Sequence, residues 1–362
     1  MKVFTLLCLL SFFEYTIGVT LQRTPIGYFA PECIRGVPSG TTIRSIPYDN
    51  KNNTLTDDMI MVVEVIYPNN TYEYINYQQS LYCSLHQERF DRSNTKESKK
   101  DNNQEAADIS TKDPLPIWNG WPRHAWYGSS YADWSNPRFP TNESIFALIA
   151  NWIIPPYPVN QLANTSDPWY QAPPTTSWWT GIQGPTVLQP VIELNGLTRN
   201  AYDAVSWNCC PGNMSWYSDP LVTFPDDTIQ GIMVRQPSSS GYVFETITTV
   251  ISPLTGTHST RLSSDMSLEN GWAPTWAEII FEEWFITSCT QLICGPERFF
   301  NISLYVEPRG QPYNATPPRL LTEIPWSVSY EIDGFNQPAN PTCDGHVQTD
   351  NVTYNSLIYS CT

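Results

Sequence analysis

Residues Trp276 to Phe285, "WAEIIFEEWF", set three glutamates among six large apolar side chains. Read with a period of two, the run splits into two faces. One carries Trp276, Glu278, Ile280, Glu282 and Trp284; the other carries Ala277, Ile279, Phe281, Glu283 and Phe285. The second set is a core face that ends in one out-of-place acid. The first alternates carboxylates with indoles, which predicts a half-exposed groove. A run this dense in Trp, Ile and Phe favours a strand over a helix.

The same texture recurs along the chain from Trp118. Short apolar runs such as "IFALIANWII", "TVLQPVIEL", "AYDAVSW", "YVFETITTVI" and "FFNISLYV" are broken by Pro, Gly, Asn and Ser. No amphipathic helical period interrupts them, so an all-β sandwich or jelly roll is predicted. Residues 19–93 also hold strand-like pieces, among them "MIMVVEVIY", but no tryptophan. All 14 tryptophans follow the polar stretch 94–113, which reads as a linker. The expected organisation is therefore an N-terminal unit over 19–93, either a propeptide or an accessory domain, and a main domain over 114–362. Lys99 and Lys100 in the linker offer a place for processing.

The first 18 residues have the form of a secretory leader: Lys2, the apolar run Val3 to Phe13, then small residues at Thr16 and Gly18. No later run reaches the roughly 18 uncharged apolar residues of a membrane span. A secreted protein is expected, extracellular or held in an acidic vacuolar compartment. Sequons at Asn52, Asn69, Asn142, Asn164, Asn213, Asn301, Asn314 and Asn351 suit a glycoprotein on that route. Without Cys8 of the leader, eight cysteines remain for disulfides. Local spacing suggests Cys33–Cys83, Cys289–Cys294 and Cys343–Cys361. Adjacent Cys209 and Cys210 are left to pair with each other or with separate partners.

Charge narrows the partners. A net charge of −16 argues against nucleic acid. From Pro114 onward there are eight arginines, 21 acids and no lysine, a balance suited to acidic surroundings. The four histidines are scattered and no Cys/His cluster has ligand spacing, so neither a metal nor another cofactor is expected. There is no G-x-S-x-G, phosphate loop or dinucleotide fingerprint. "YEIDG", Tyr330 to Gly334, lacks the second carboxylate of a glycosidase pair.

One ordered set of motifs is more specific: "ANWIIPPYP", "WWTGIQG", "VLQPV", "AYDAVSW", "PDDTIQG" and "WAEIIFEEW". In that order, over roughly Trp118 to Cys361, the chain resembles the glutamic peptidases known as eqolisins. The resemblance implies a concanavalin A-like two-sheet jelly-roll sandwich, here with a smaller N-terminal β-rich appendage. It places the family's catalytic glutamine at Gln189 and its catalytic glutamate at Glu282, and its cysteine pair at Cys289 and Cys294. The implied activity is acid endopeptidase, Glu282 serving as base on a water and the Gln189 amide donating to the oxyanion. Trp276 and Trp284, with Trp178 or Trp179, would wall the substrate groove, and Glu278 would raise the pKa of Glu282 by like charge. Pro190 and Val191 depart from the family's small residue and glycine. The expected partner is a polypeptide substrate or a glycan, and a monomer is expected. The rival is a non-catalytic, lectin-like glycoprotein that binds polysaccharide on the same aromatic groove.

Overall fold

The computed structural model describes residues 22–24, 27–48, 60–75, 77–85, 87–89, 118–128, 142–158, 175–198, 200–238, 241–268, 273–286, 297–329, 345–349 and 357–361. The leader, the 94–113 stretch, "YEIDG" and Cys289, Cys294 and Cys343 fall outside these residues. In chain order the N-terminal part holds β1 (Gln22–Thr24), β2 (Gly27–Phe29), β3 (Ile34–Gly36), β4 (Thr41–Tyr48), β5 (Ile60–Ile66), β6 (Tyr72–Ile75), α1 (Tyr77–Leu85) and β7 (Gln87–Arg89). There follow β8 (Trp118–Tyr127), β9 (Glu143–Ile153), β10 (Thr175–Gln183), β11 (Val187–Leu194), β12 (Tyr202–Cys209), β13 (Ser215–Tyr217), β14 (Leu221–Thr223) and β15 (Thr228–Arg235). The last are β16 (Val243–Ser252), β17 (Gly256–Asp265), β18 (Trp276–Ile286), β19 (Glu297–Pro308), β20 (Arg319–Leu320), β21 (Ser327–Ser329), β22 (Gly345–Thr349) and β23 (Leu357–Cys361). No helix among the described residues is long and apolar enough to cross a membrane.

Apart from a small sheet of β1, β2 and β7, the strands build two mixed sheets that form a sandwich, as expected. A nine-stranded sheet runs β21-β8-β18-β10-β11-β12-β13-β3, with β14 also on β12. An eleven-stranded sheet runs β22-β23-β19-β9-β15-β16-β17-β4-β5-β6, with β20 also on β19. Between them lies one large apolar core. The first sheet gives Trp178, Ile182, Leu188, Ile192 and Phe281; the second gives Leu148, Trp152, Met233, Phe244 and Leu304. Each such side chain contributes about 1.5–3 kcal/mol by leaving water. Strands β15 and β16 face the core on one side only, so their burial alternates strictly, whereas β10, β11 and β12 are buried on both sides.

The N-terminal segment is tied to the sandwich more closely than its composition suggests. β3 pairs in parallel with β13 at the edge of one sheet, and β4 pairs in parallel with β17 and carries β5 and β6 beyond it in the other. Phe29, Ile43, Val63 and Val65 then share a core with Cys209, Met214, Trp216 and Leu262. The linker marks a change of composition, but both sheets run across it. Within this segment Cys33 and Cys83 are bonded, with sulfurs 1.99 Å apart. Cys209 and Cys210 are bonded to each other.

Two outcomes follow from this packing. Protein nicked at an engineered site beside Lys99 should elute as one species in size exclusion and separate into two only in denaturant; separation in native buffer would show that the shared sheets do not hold the segment. In chain routed through a secretory pathway, peptide mapping should find sugar on the exposed sequons Asn69, Asn142, Asn301 and Asn314. Asn213 should stay bare, because its Nδ2 donates to the backbone oxygen and Oγ of Ser80, each at 3.4 Å.

Candidate active site

Strand β18 divides as its alternation predicts. Ala277, Ile279 and Phe281 enter the inter-sheet core, while Trp276, Glu278, Ile280 and Glu282 lie on the opposite face of the nine-stranded sheet. That face is not the half-exposed groove expected: Glu278 is 1 % exposed, Glu282 0 % and Trp276 6 %. Ile280 sits in a third apolar cluster with Trp179, Val191, Val205 and Trp207, against which Ile34, Leu197 and Tyr217 pack. The aromatic density that suggested an open groove makes a buried, closely packed layer instead. The side chain of Trp284 lies outside the described residues.

The neighbouring tryptophans part company. Trp178 packs in the core against Phe281, with ring centroids 5.1 Å apart, and so does not wall this face. Trp179 points the other way, and its Nε1 donates to Glu282 Oε2 at 3.0 Å.

Register sorts the polar residues into two rows across the strands. In the first, Glu278 pairs with Gly181, and Gln189 pairs with Trp207. The pairs Trp179–Val191 and Ile182–Leu188 carry Gly181 opposite Gln189 in the same register. Trp207 pairs in turn with Tyr217, and Tyr217 with Gly36 of β3. In the second row, Glu282 pairs with Ser177, Ser177 with Glu193, and Glu193 with Asp203. Strands lie about 4.8 Å apart and rise about 3.3 Å per residue, so the Cα atoms of Gln189 and Glu278 are about 10 Å apart, while Glu282 is a further ~13 Å along its strand. The structure thus brings Gln189 and both glutamates to one face, with Glu278 in Gln189's own row.

The glycine between them has a steric reason. A Cβ on Gly181 would stand 2.8 Å from Cζ3 of Trp179 and 3.2 Å from Cγ of Glu278. The Trp179 indole therefore spans the two rows, its benzo edge over Gly181 and its Nε1 on Glu282.

Gln189 is 1 % exposed, and neither its Nε2 nor its Oε1 has a hydrogen-bond partner. The Nε1 of Trp207, across the strand pair, is also buried without one. Each buried polar group left unpaired costs about 1–3 kcal/mol, which a bound group offering matching atoms would recover. In the second row, burial raises the pKa of Asp203, opposed by the N–H of Thr198 donating to its Oδ2 at 2.6 Å. Among the described residues no three His, Cys, Asp or Glu side chains are grouped to hold a metal ion.

Sequence reasoning passed over Glu193, Asp203 and Trp207. The signal was present, because a period of two from Gln189 reaches Val191 and Glu193, and from Asp203 reaches Val205 and Trp207. Which of these stands beside which depends on register, and neither strand states that alone.

No family model matches the chain, and no curated protein matches it. Among solved structures it is similar to the crystal structure of scytalido-glutamic peptidase with a transition state analog inhibitor. That match has 15 % identity and a TM-score of 0.36, and covers 68 % of this chain and 98 % of that one. The CBM2 module of the Lactobacillus casei BL23 phage J-1 evolved Dit matches with 7 % identity and a TM-score of 0.17, over 40 % of this chain and 63 % of that one. Likeness at these levels says nothing of function.

The buried acid row has a consequence for stability. Asp203 has a folded pKa above its unfolded value, so the folded state binds the proton more tightly. The contribution of Asp203 to stability is then fully present below the unfolded value, near 3.9, and is lost as pH rises through the folded one. Asp203→Asn keeps an acceptor for Thr198 and removes the charge. Thermal melts should show the variant gaining most over wild type at neutral pH and little in acid; equal melting shifts at both would contradict the assignment.

Proposed function

We propose that the chain is a secreted acid endopeptidase of the glutamic type, with the Gln189 amide and a buried glutamate of β18 as its working pair. The observation that supports this best is Gln189 itself. A glutamine kept for packing would satisfy its amide on the backbone, whereas here both amide atoms are buried and unpaired on the face that carries two glutamates. The ordered motifs and the absence of lysine beyond the linker agree with the reading.

In this reaction the glutamate carboxylate takes a proton from water as the water oxygen bonds to the scissile carbonyl carbon. The carbonyl oxygen becomes an oxyanion, to which Gln189 Nε2–H donates. The carboxyl then passes its proton to the amide nitrogen as the C–N bond breaks, leaving an acid and an amine. The motif order names Glu282, but the register supports Glu278 as the base: Glu278 shares Gln189's row, whereas Glu282 lies about 13 Å farther along β18 with its oxygen on Trp179. Glu282, in the next row, is the acid that shapes the field around it.

Purified protein is to be assayed on an unfolded protein substrate between about pH 2 and 7, limits that bracket the ordinary glutamate pKa. Cleavage should be confined to the acid end, because once Glu278 and Glu282 are both ionised they repel each other and the developing oxyanion. Glu278→Gln should lower kcat about 10²–10⁴-fold, the usual worth of a positioned acid–base group. Gln189→Ala should lower it about 10²–10³-fold. A greater loss in Glu282→Gln than in Glu278→Gln would return the base role to Glu282. Wild-type protein inert throughout would hand the case to a glycan-binding protein.

A further inference from the structure

Gln189 is not the only unused donor on this face. Trp207 is its direct partner on β12, and cross-strand partners on one face have Cβ atoms about 4.5–5.5 Å apart. Trp207 is 1 % exposed and its Nε1 has no hydrogen-bond partner, although the ring packs against Tyr217 with centroids 5.1 Å apart. Buried indole N–H groups usually find an acceptor. Two adjacent buried side chains that both leave an N–H unused call for a common acceptor from outside the chain.

We infer that Trp207 Nε1–H is the second donor of an oxyanion site whose first donor is Gln189 Nε2–H. The site takes the oxygen of a peptide carbonyl, and the inference rests on the peptidase reading. As water adds to the carbonyl carbon the C=O π pair moves onto oxygen, and the two N–H groups receive that charge without themselves losing a proton. An indole suits the task because it donates one hydrogen bond, accepts none and stays neutral across the whole acid range. The surrounding apolar cluster keeps water from competing for it. Tyr217 braces the ring from the next strand, and Gly36 makes room for Tyr217: a Cβ there would come within 2.9 Å of its ring. Since Gly36 belongs to β3, the N-terminal segment supports this donor from behind.

The test compares kcat and KM of wild type, Gln189→Ala, Trp207→Phe and the double variant on one peptide. Benzothienylalanine at position 207 serves as a second replacement, because it keeps the indole's shape and lacks the N–H. Removing the donor should lower kcat about 10–10³-fold while KM stays within about threefold, by an amount that does not vary with pH. The double variant should lose less than the product of the single losses, because both donors serve one oxygen. Unchanged kcat with benzothienylalanine in a peptidase that still needs Gln189 would overturn the inference and leave the peptidase reading standing. A wild-type protein that cleaves nothing would remove both.

Discussion

A slip of one residue in a strand pair turns every side chain to the opposite face, so the candidate site depends on how β10 pairs with its two neighbours. In the register observed, Gly181 stands between Gln189 and Glu278, and Ser177 between Glu282 and Glu193. Both intervening residues are small. They leave the space above β10 to longer side chains from either side, and Trp179 fills part of it. Its indole reaches from Gly181 to Glu282 and joins two rows that the strands alone would keep apart. A larger residue at 181 would push the indole off Glu282 or displace the stem of Glu278. The glycine thus orders the whole face.

The buried polar groups here carry a cost in stability. Gln189, Trp207 and the acids of the second row occupy positions that apolar side chains would fill more favourably, and Val191, Val205 and Ile280 show that this layer accepts such residues. The inter-sheet core, with Trp178, Phe281 and their neighbours, is large enough to bear the loss. The N-terminal strands add to that reserve by extending both sheets and covering Trp216 and Leu262. A sandwich supported in this way can keep unpaired groups where a ligand would use them.

Much of the fold was legible in the sequence. The alternation in "WAEIIFEEWF" separated the core residues Ile279 and Phe281 from the acids at 278 and 282, because side-chain direction in a strand follows from counting alone. The Cys33–Cys83 bond followed from the pairing of local cysteines. What counting does not reveal is contact between strands distant in the chain. Trp178 and Trp179 looked interchangeable until the partner strands showed which one faces the core. Glu193, Asp203 and Trp207 stayed hidden for the same reason, since their place beside Glu282 and Gln189 is a matter of register. The joining of β3 and β4 to both sheets was masked by the polar linker, whose composition says nothing about which edges the flanking strands complete.

The most direct measurement is a crystal structure at acid pH with a peptide aldehyde bound, read as the distance from Gln189 Nε2 to the oxygen of the former aldehyde. The peptidase account predicts about 2.7–3.1 Å, the span of an oxyanion hydrogen bond, with a β18 carboxyl on the far side of the same carbon. An oxygen turned away from Gln189, or a Gln189 amide bonded to backbone beneath the ligand, would contradict it.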